Sequence, residues 1–159
     1  MAEIACEMLR TRERIAELDR RLEELLADDP AARIVQTMPG MGIVFTAEFL
    51  AEVGDLGRFA SADSLAAAAG VAPLLRASGA RSYQRRARHG NKVLKRLLYR
   101  SAFNCISHHE RSEAFYRRKR AEGKGHHQAV IALARRRIDV LWAMLRDGQN
   151  YNERPSPAA

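Results

Sequence analysis

Apolar residues in this chain recur at intervals of three and four, and nowhere do they alternate with period two for long enough to build a sheet. A helix returns a side chain to the same face after about 3.6 residues and a strand after about two, so this spacing points to helices packed on helices. Glycine and proline supply the breaks between them. The expected fold class is all-α. A helical arm spans 1–29, a helical body 30–148, and a disordered tail rich in Asn, Pro and Ser 149–159. At 159 residues the chain is long enough to bury a sizeable core as one domain without disulfide or metal staples.

The arm is the most regular stretch. Ile4, Met8, Ile15, Leu18, Leu22 and Leu25 follow a strict alternation of fours and threes, with Thr11 in the one gap, while Glu and Arg fill the flanks. That is a heptad seam of coiled-coil type. It serves equally an arm folded back on its own domain and a homo-oligomer joined through residues 1–29. Asp29 and Pro30 then offer an N-cap and a first helical position.

Further along, Pro39-Gly40-Met41-Gly42 makes a tight turn, and a helix follows it with Ile43, Ala47 and Leu50 on one side, closed by Gly54. Ser61 caps a short helix that Gly70 closes, and Asn91 caps a strongly periodic one whose buried face runs through Leu94, Leu97, Leu98, Ala102 and Cys105. Ser112 is the expected cap of the next helix. The last runs from about His126 to Arg146, along Val130, Ala134, Ile138, Leu141 and Leu145, with Gly148 just past its end.

Charge is distributed as unevenly as hydrophobicity. The total is +8, yet residues 1–29 hold nine acids against five arginines, a net of −4, so the remaining residues carry +12. Between Asp63 and Glu110 there is no acid, while Arg76, Arg81, Arg85, Arg86, Arg88, Lys92, Lys95, Arg96 and Arg100 supply nine cations. A solvated surface normally interleaves both signs, so this run implies a counter-charge from outside, and phosphate suits the arginine fork. The helix–turn–helix at Gly40 and Gly42 resembles a helix-hairpin-helix element, in which backbone N–H groups at a helix start meet sugar-phosphate. A plain corner between helices explains the same glycines. Ser78-Gly79, among the arginines, is by spacing a turn dipeptide, and cationic surroundings also suit a serine that attacks phosphate.

PGMG, GDLGRF, AGVAP, the SG pair, the basic run and HGNKVLKRLLYRSA occur in that order over about 65 residues. This succession resembles the C-terminal transposase domain of DEDD-type insertion-sequence transposases, also described as RNA-guided serine recombinases. The likeness extends more weakly to about residue 146. It implies that Ser78 is the nucleophile joined covalently to DNA, and that Gly40, Gly42, Arg76, Gly79, Arg81, Arg85, Arg86, Arg88, Lys92, Lys95 and Arg96 bind nucleic acid. It implies a structured guide RNA as a second partner. It also implies a divalent metal, magnesium, held by four carboxylates of an N-terminal RuvC-like domain. The 159 residues include no such domain, so the chain is expected to be a truncated or split transposase or a fragment of a longer one, inactive alone, with no cofactor of its own. A non-catalytic nucleic-acid-binding module, or a regulator of a full-length transposase, is the alternative.

The other chemistry-bearing residues suggest less. Glu48, Glu52 and Asp55 share a helical spacing but read as a solvated face, and the pairs His108-His109 and His126-His127 have no third ligand at metal spacing, so no metal residue is assigned. Trp142 reads as core. Cys6 and Cys105 lie in unrelated segments and read as free thiols. With no apolar stretch near the length of about 20 residues that a span requires, no membrane partner is expected, and the chain reads as cytoplasmic.

Overall fold

The computed structural model describes residues 2–72, 74–78, 81–85 and 90–153, with the backbone alone over 74–78 and 81–85. In chain order the elements are α1 (Ala2–Leu26), α2 (Pro30–Gln36), α3 (Ile43–Val53), a single 3-10 turn (Leu56–Arg58), α4 (Ala62–Ala68), β1 (Leu74–Ser78), β2 (Arg81–Arg85), α5 (Lys92–His108), α6 (Glu110–Ala121) and α7 (His126–Asp147). The body is all-α, as the spacing of apolar residues requires. Helices α5 and α7 pack on each other at its centre, with α3 against α5, α2 and α4 against α7, and α6 in contact with both.

The core follows from the apolar stripes. Leu94, Leu97, Leu98 and Ala102 of α5 meet Val130, Leu133, Ala134, Ile138 and Leu141 of α7, and Phe49, Val53, Leu65 and Val35 close the space from the shorter helices. Full burial of each large side chain contributes about 1.5–3 kcal/mol, enough to hold helices such as α2 and α4 that are too short to persist alone. The caps are local. Asp29 Oδ1 accepts from the N–H groups of Ala31 and Ala32, Ser61 and Ser64 form a reciprocal capping box, and Asn91 Oδ1 accepts from Val93 and Leu94 at 2.8 and 3.0 Å.

Three features differ from the sequence reading. The arginine-rich segment contains a two-stranded antiparallel hairpin, β1 with β2, appended to the helical body. Ser112 is not a cap: α6 starts at Glu110 with His109 as its N-cap, and the buried Ser112 hydroxyl sits in the first turn, 2.8 Å from His109 Nδ1. Residues 149–153 are held rather than loose, since the Tyr151 N–H donates to Thr37 Oγ1 at 2.8 Å and the His109 ring bridges to Glu153 at 3.0 Å. Helix α1 touches α3 but buries none of its residues, leaving Ile4 62% and Leu25 79% exposed. Ile4, Met8, Ile15, Leu18 and Leu25 of the heptad seam therefore face solvent, while Leu22 is half-buried.

Candidate nucleic-acid interface

The hairpin has a definite register. Leu74 pairs with Arg85, Arg76 with Tyr83, and Ser78 with Arg81. Directly opposed residues of an antiparallel pair lie on the same face, and every second residue along a strand returns to it. That face therefore groups Arg76, Ser78, Arg81 and Arg85 with Leu74 and Tyr83, while Leu75, Ala77, Ser82 and Gln84 occupy the other. Ser78 is directly opposite Arg81 at the last pair of the ladder, and Arg76 is two residues away on its own strand. Gly79, Arg86 and Arg88 lie outside the described residues.

The ends of the cationic segment are clamped. The Asn91 N–H donates to Ala68 O at 2.7 Å, and the Asn91 side-chain amide donates to Glu52 at the end of α3. Gly90 has a φ of +120°, and a Cβ on it would stand 2.7 Å from both the N and the Cα of Gly70. The chain thus leaves α4 and enters α5 through one backbone-to-backbone contact, which holds together the two ends of the segment that contains the hairpin. Lys92, Lys95 and Arg96 are on the first turns of α5. Lys92 is exposed, and Arg96 bridges Glu48 at 2.9 Å, so one cation of the run has a protein counter-charge supplied by α3.

The glycine turn stands elsewhere. Helix α3 runs antiparallel to α5, with Phe45 under Arg100 and Glu52 at Asn91, so its start is separated from the Asn91 end of α5 by roughly 15 Å of helix. At Gly40 (φ +74°) an added Cβ would meet Cys105 Sγ at 2.5 Å and Ser101 O at 3.0 Å. The Ser101 hydroxyl donates to Gly40 O at 2.7 Å, the Cys105 thiol to Pro39 O at 3.1 Å, and Arg137 to Pro39 O at 2.5 Å and Ser101 Oγ at 2.8 Å. Gly40 is a packed corner. Gly42, the N-cap of α3, has open space for 4 Å around the point a Cβ would take. Gly40→Ala is therefore expected to cost about 2–3 kcal/mol in urea unfolding, against less than about 1 kcal/mol for Gly42→Ala.

Arg137, only 4% exposed, and its partner Ser101 were not singled out from the sequence, while Cys105 was read as part of the buried face of α5. Arg137 stands three residues after Ala134 and four before Leu141, on the apolar stripe of α7, but its acceptors come from residues 39, 101 and 105, which no local spacing records. Burial pulls the Arg137 guanidinium below its ordinary value and pushes the Cys105 thiol up, while each opposes the shift of the other. The carboxylates Glu48, Glu52 and Asp55 have partners in Arg96, Asn91 and the Gly57 N–H. Among the described residues no group of three His, Cys, Asp or Glu is placed to hold a metal. Trp142 is half-buried, with Arg146 4.8 Å above its ring. No helix among the described residues is long and apolar enough to cross a membrane.

Residues 32–117 match the family described as Transposase IS116/IS110/IS902. The chain is 44% identical over 157 residues to the uncharacterized 44.8 kDa protein of insertion element IS116 from Streptomyces clavuligerus, covering 98% of this chain and 39% of that one. It is 45% identical over 161 residues to the uncharacterized 42 kDa protein of insertion element IS900 from Mycobacterium paratuberculosis, covering 100% and 40%. A pilin gene-inverting protein from Moraxella bovis is 27% identical over 147 residues, covering 88% and 46%. The chain thus spans about two fifths of the length of its insertion-element relatives.

Proposed function

The chain belongs to the IS116/IS110/IS902 transposase family, and from that membership we propose that it is the part of a transposase that grips DNA and carries the serine nucleophile for strand exchange. The observation that carries this reading is the hairpin register, which sets Ser78 on one face with Arg76, Arg81 and Arg85. In the proposed step Ser78 Oγ attacks the scissile phosphorus. One bond forms between phosphorus and the serine oxygen, one bond between phosphorus and a sugar oxygen breaks, and the proton lost by serine is balanced by one gained at the released sugar hydroxyl. Rejoining reverses the exchange, so bond count is conserved and no external energy source is required. Arginine forks neutralise the phosphoryl oxygens that repel an incoming oxygen, and their weak hydration suits a site from which water is excluded.

Lys92 and Lys95, on the first turns of α5, extend the cationic surface from the hairpin base, and Gly42 opens the start of α3 as a separate backbone contact. A structured guide RNA would use the same electrostatics as DNA. Self-association is assigned to α1, whose exposed heptad seam matches a second copy of itself. With four to six phosphates neutralised, log affinity for duplex DNA is expected to fall against log salt with a slope of about −4 to −5. Fluorescence anisotropy across a salt series measures it, and a slope near zero would remove the interface.

A further inference from the structure

A cavity of about 650 Å³ opens between α6, α7 and residues 149–152, and among the described residues that line it none belongs to α5. Four arginines line it: Arg111, Arg136, Arg137 and Arg146. Of the two carboxylates in the same wall, Asp147 holds Arg146 at 2.6 and 2.8 Å and Asp139 is bonded to Arg135. Glu153, close by, is engaged by His109. Arg111, Arg136 and Arg137 are left with no carboxylate partner among the described residues. Arg136 is exposed, stacked 5.1 Å from the Phe115 ring.

Arg137 sharpens the point. All its hydrogen-bond acceptors are neutral, namely a backbone carbonyl, a hydroxyl and a thiol, and its Nε is buried with no partner. Neutral acceptors satisfy N–H groups but leave the charge uncompensated, and a buried ion without a counter-ion is costly to hold. Two further guanidinium groups in the same wall add to that field. Phe115, Leu133, Val140 and Met144 give the lining an apolar part, and His109, Ser112, Gln149, Asn150, Tyr151 and Asn152 add a polar one. Its volume is in the range of small-ligand sites, and guanidinium groups beside an apolar wall suit an anionic ligand that carries an apolar part.

We propose that this cavity binds the phosphate of a single nucleotide unit, held by Arg111, Arg136 and Arg137, with the nucleoside against Phe115, Leu133 and Val140. The phosphate monoester is the recognised chemistry, whether it comes from a strand terminus or from a free mononucleotide. This site is independent of the hairpin interface.

The test is calorimetric titration of the full chain with AMP, adenosine and inorganic phosphate, alongside a short single strand with and without a 5′-phosphate. AMP is expected to bind about tenfold or more tightly than adenosine, and the double variant Arg111→Ala/Arg136→Ala to weaken AMP by about tenfold or more. Both residues reach solvent, so the variant keeps the core, and its salt-dependent duplex binding should stay within about threefold of the parent. Tighter binding of the 5′-phosphorylated strand than of AMP assigns the site to strand ends, and the reverse order assigns it to free nucleotides. AMP binding no tighter than adenosine, or unchanged in the double variant, overturns the proposal. Loss of duplex binding by the parent chain with AMP binding intact would sink the hairpin interface and leave this site standing.

Discussion

Replacement of Ser78 by alanine is expected to abolish the covalent protein–DNA adduct, by about a thousandfold or more, while DNA affinity stays within about twofold. The assay supplies the carboxylate domain of a longer relative in trans and traps the adduct on a denaturing gel. The asymmetry follows from chemistry. Alanine removes the only oxygen that could attack phosphorus at that position but none of the charge that holds the backbone phosphates. Ser82 is the internal control, because the register pairs it with Ala77 and places it on the other face of the ribbon. Ser82→Ala should leave the adduct in place. Persistence of the adduct in Ser78→Ala would end the nucleophile assignment and favour a non-catalytic nucleic-acid-binding module.

The second large effect is structural. Gly90→Ala is expected to destabilise the fold by about 4 kcal/mol or more, lowering the thermal midpoint by roughly 10 °C. At φ +120° an L side chain is strained whatever the space, and here the new Cβ would stand 2.7 Å from two backbone atoms of Gly70 and 2.9 Å from Ala68 O. Backbone cannot rotate away as a flexible side chain can. To relieve the clash, the end of α4 must part from the start of α5, breaking the bond from the Asn91 N–H to Ala68 O. The hairpin then loses the clamp at its base, so nucleic-acid affinity should fall together with stability. Scanning calorimetry and anisotropy on the same preparation measure both. Unchanged stability would mean that the two helix ends do not meet.

Much of the fold was legible because its signals are local. An N-cap depends on a side chain and the N–H groups two and three residues later, so Asp29, Ser61 and Asn91 were readable one at a time. The stripes of α5 and α7 were readable because helical period and burial coincide along them. Ser112 misled because His109, three residues earlier, competes for the same cap. The hairpin was missed because its strands are only five residues long and rich in arginine, with no apolar alternation to announce them. Its one signal was spacing, two short runs separated by two residues that include Gly79, which suits a tight hairpin connection.

The candidate site was legible by residue type and not by arrangement. A run of one sign along the chain says nothing about carboxylates that arrive from elsewhere, and α3 delivers Glu48 to Arg96 across 48 positions. Gly40 and Gly42 read as one turn with one role. Packing against Cys105 and Ser101 makes the first a corner, while the second remains open.

The sequence alone determined the helical body, most of its boundaries and the concentration of positive charge between α4 and α5, since periodicity, capping and charge count are properties of neighbours along the chain. Only the tertiary structure decided that Ser78 shares a face with three arginines, that Gly70 and Gly90 touch, and that Arg137 is interior without a counter-charge. Those outcomes depend on strand register and on which helices pack together. Both are set by contacts between residues far apart in sequence, where no local pattern records the partner.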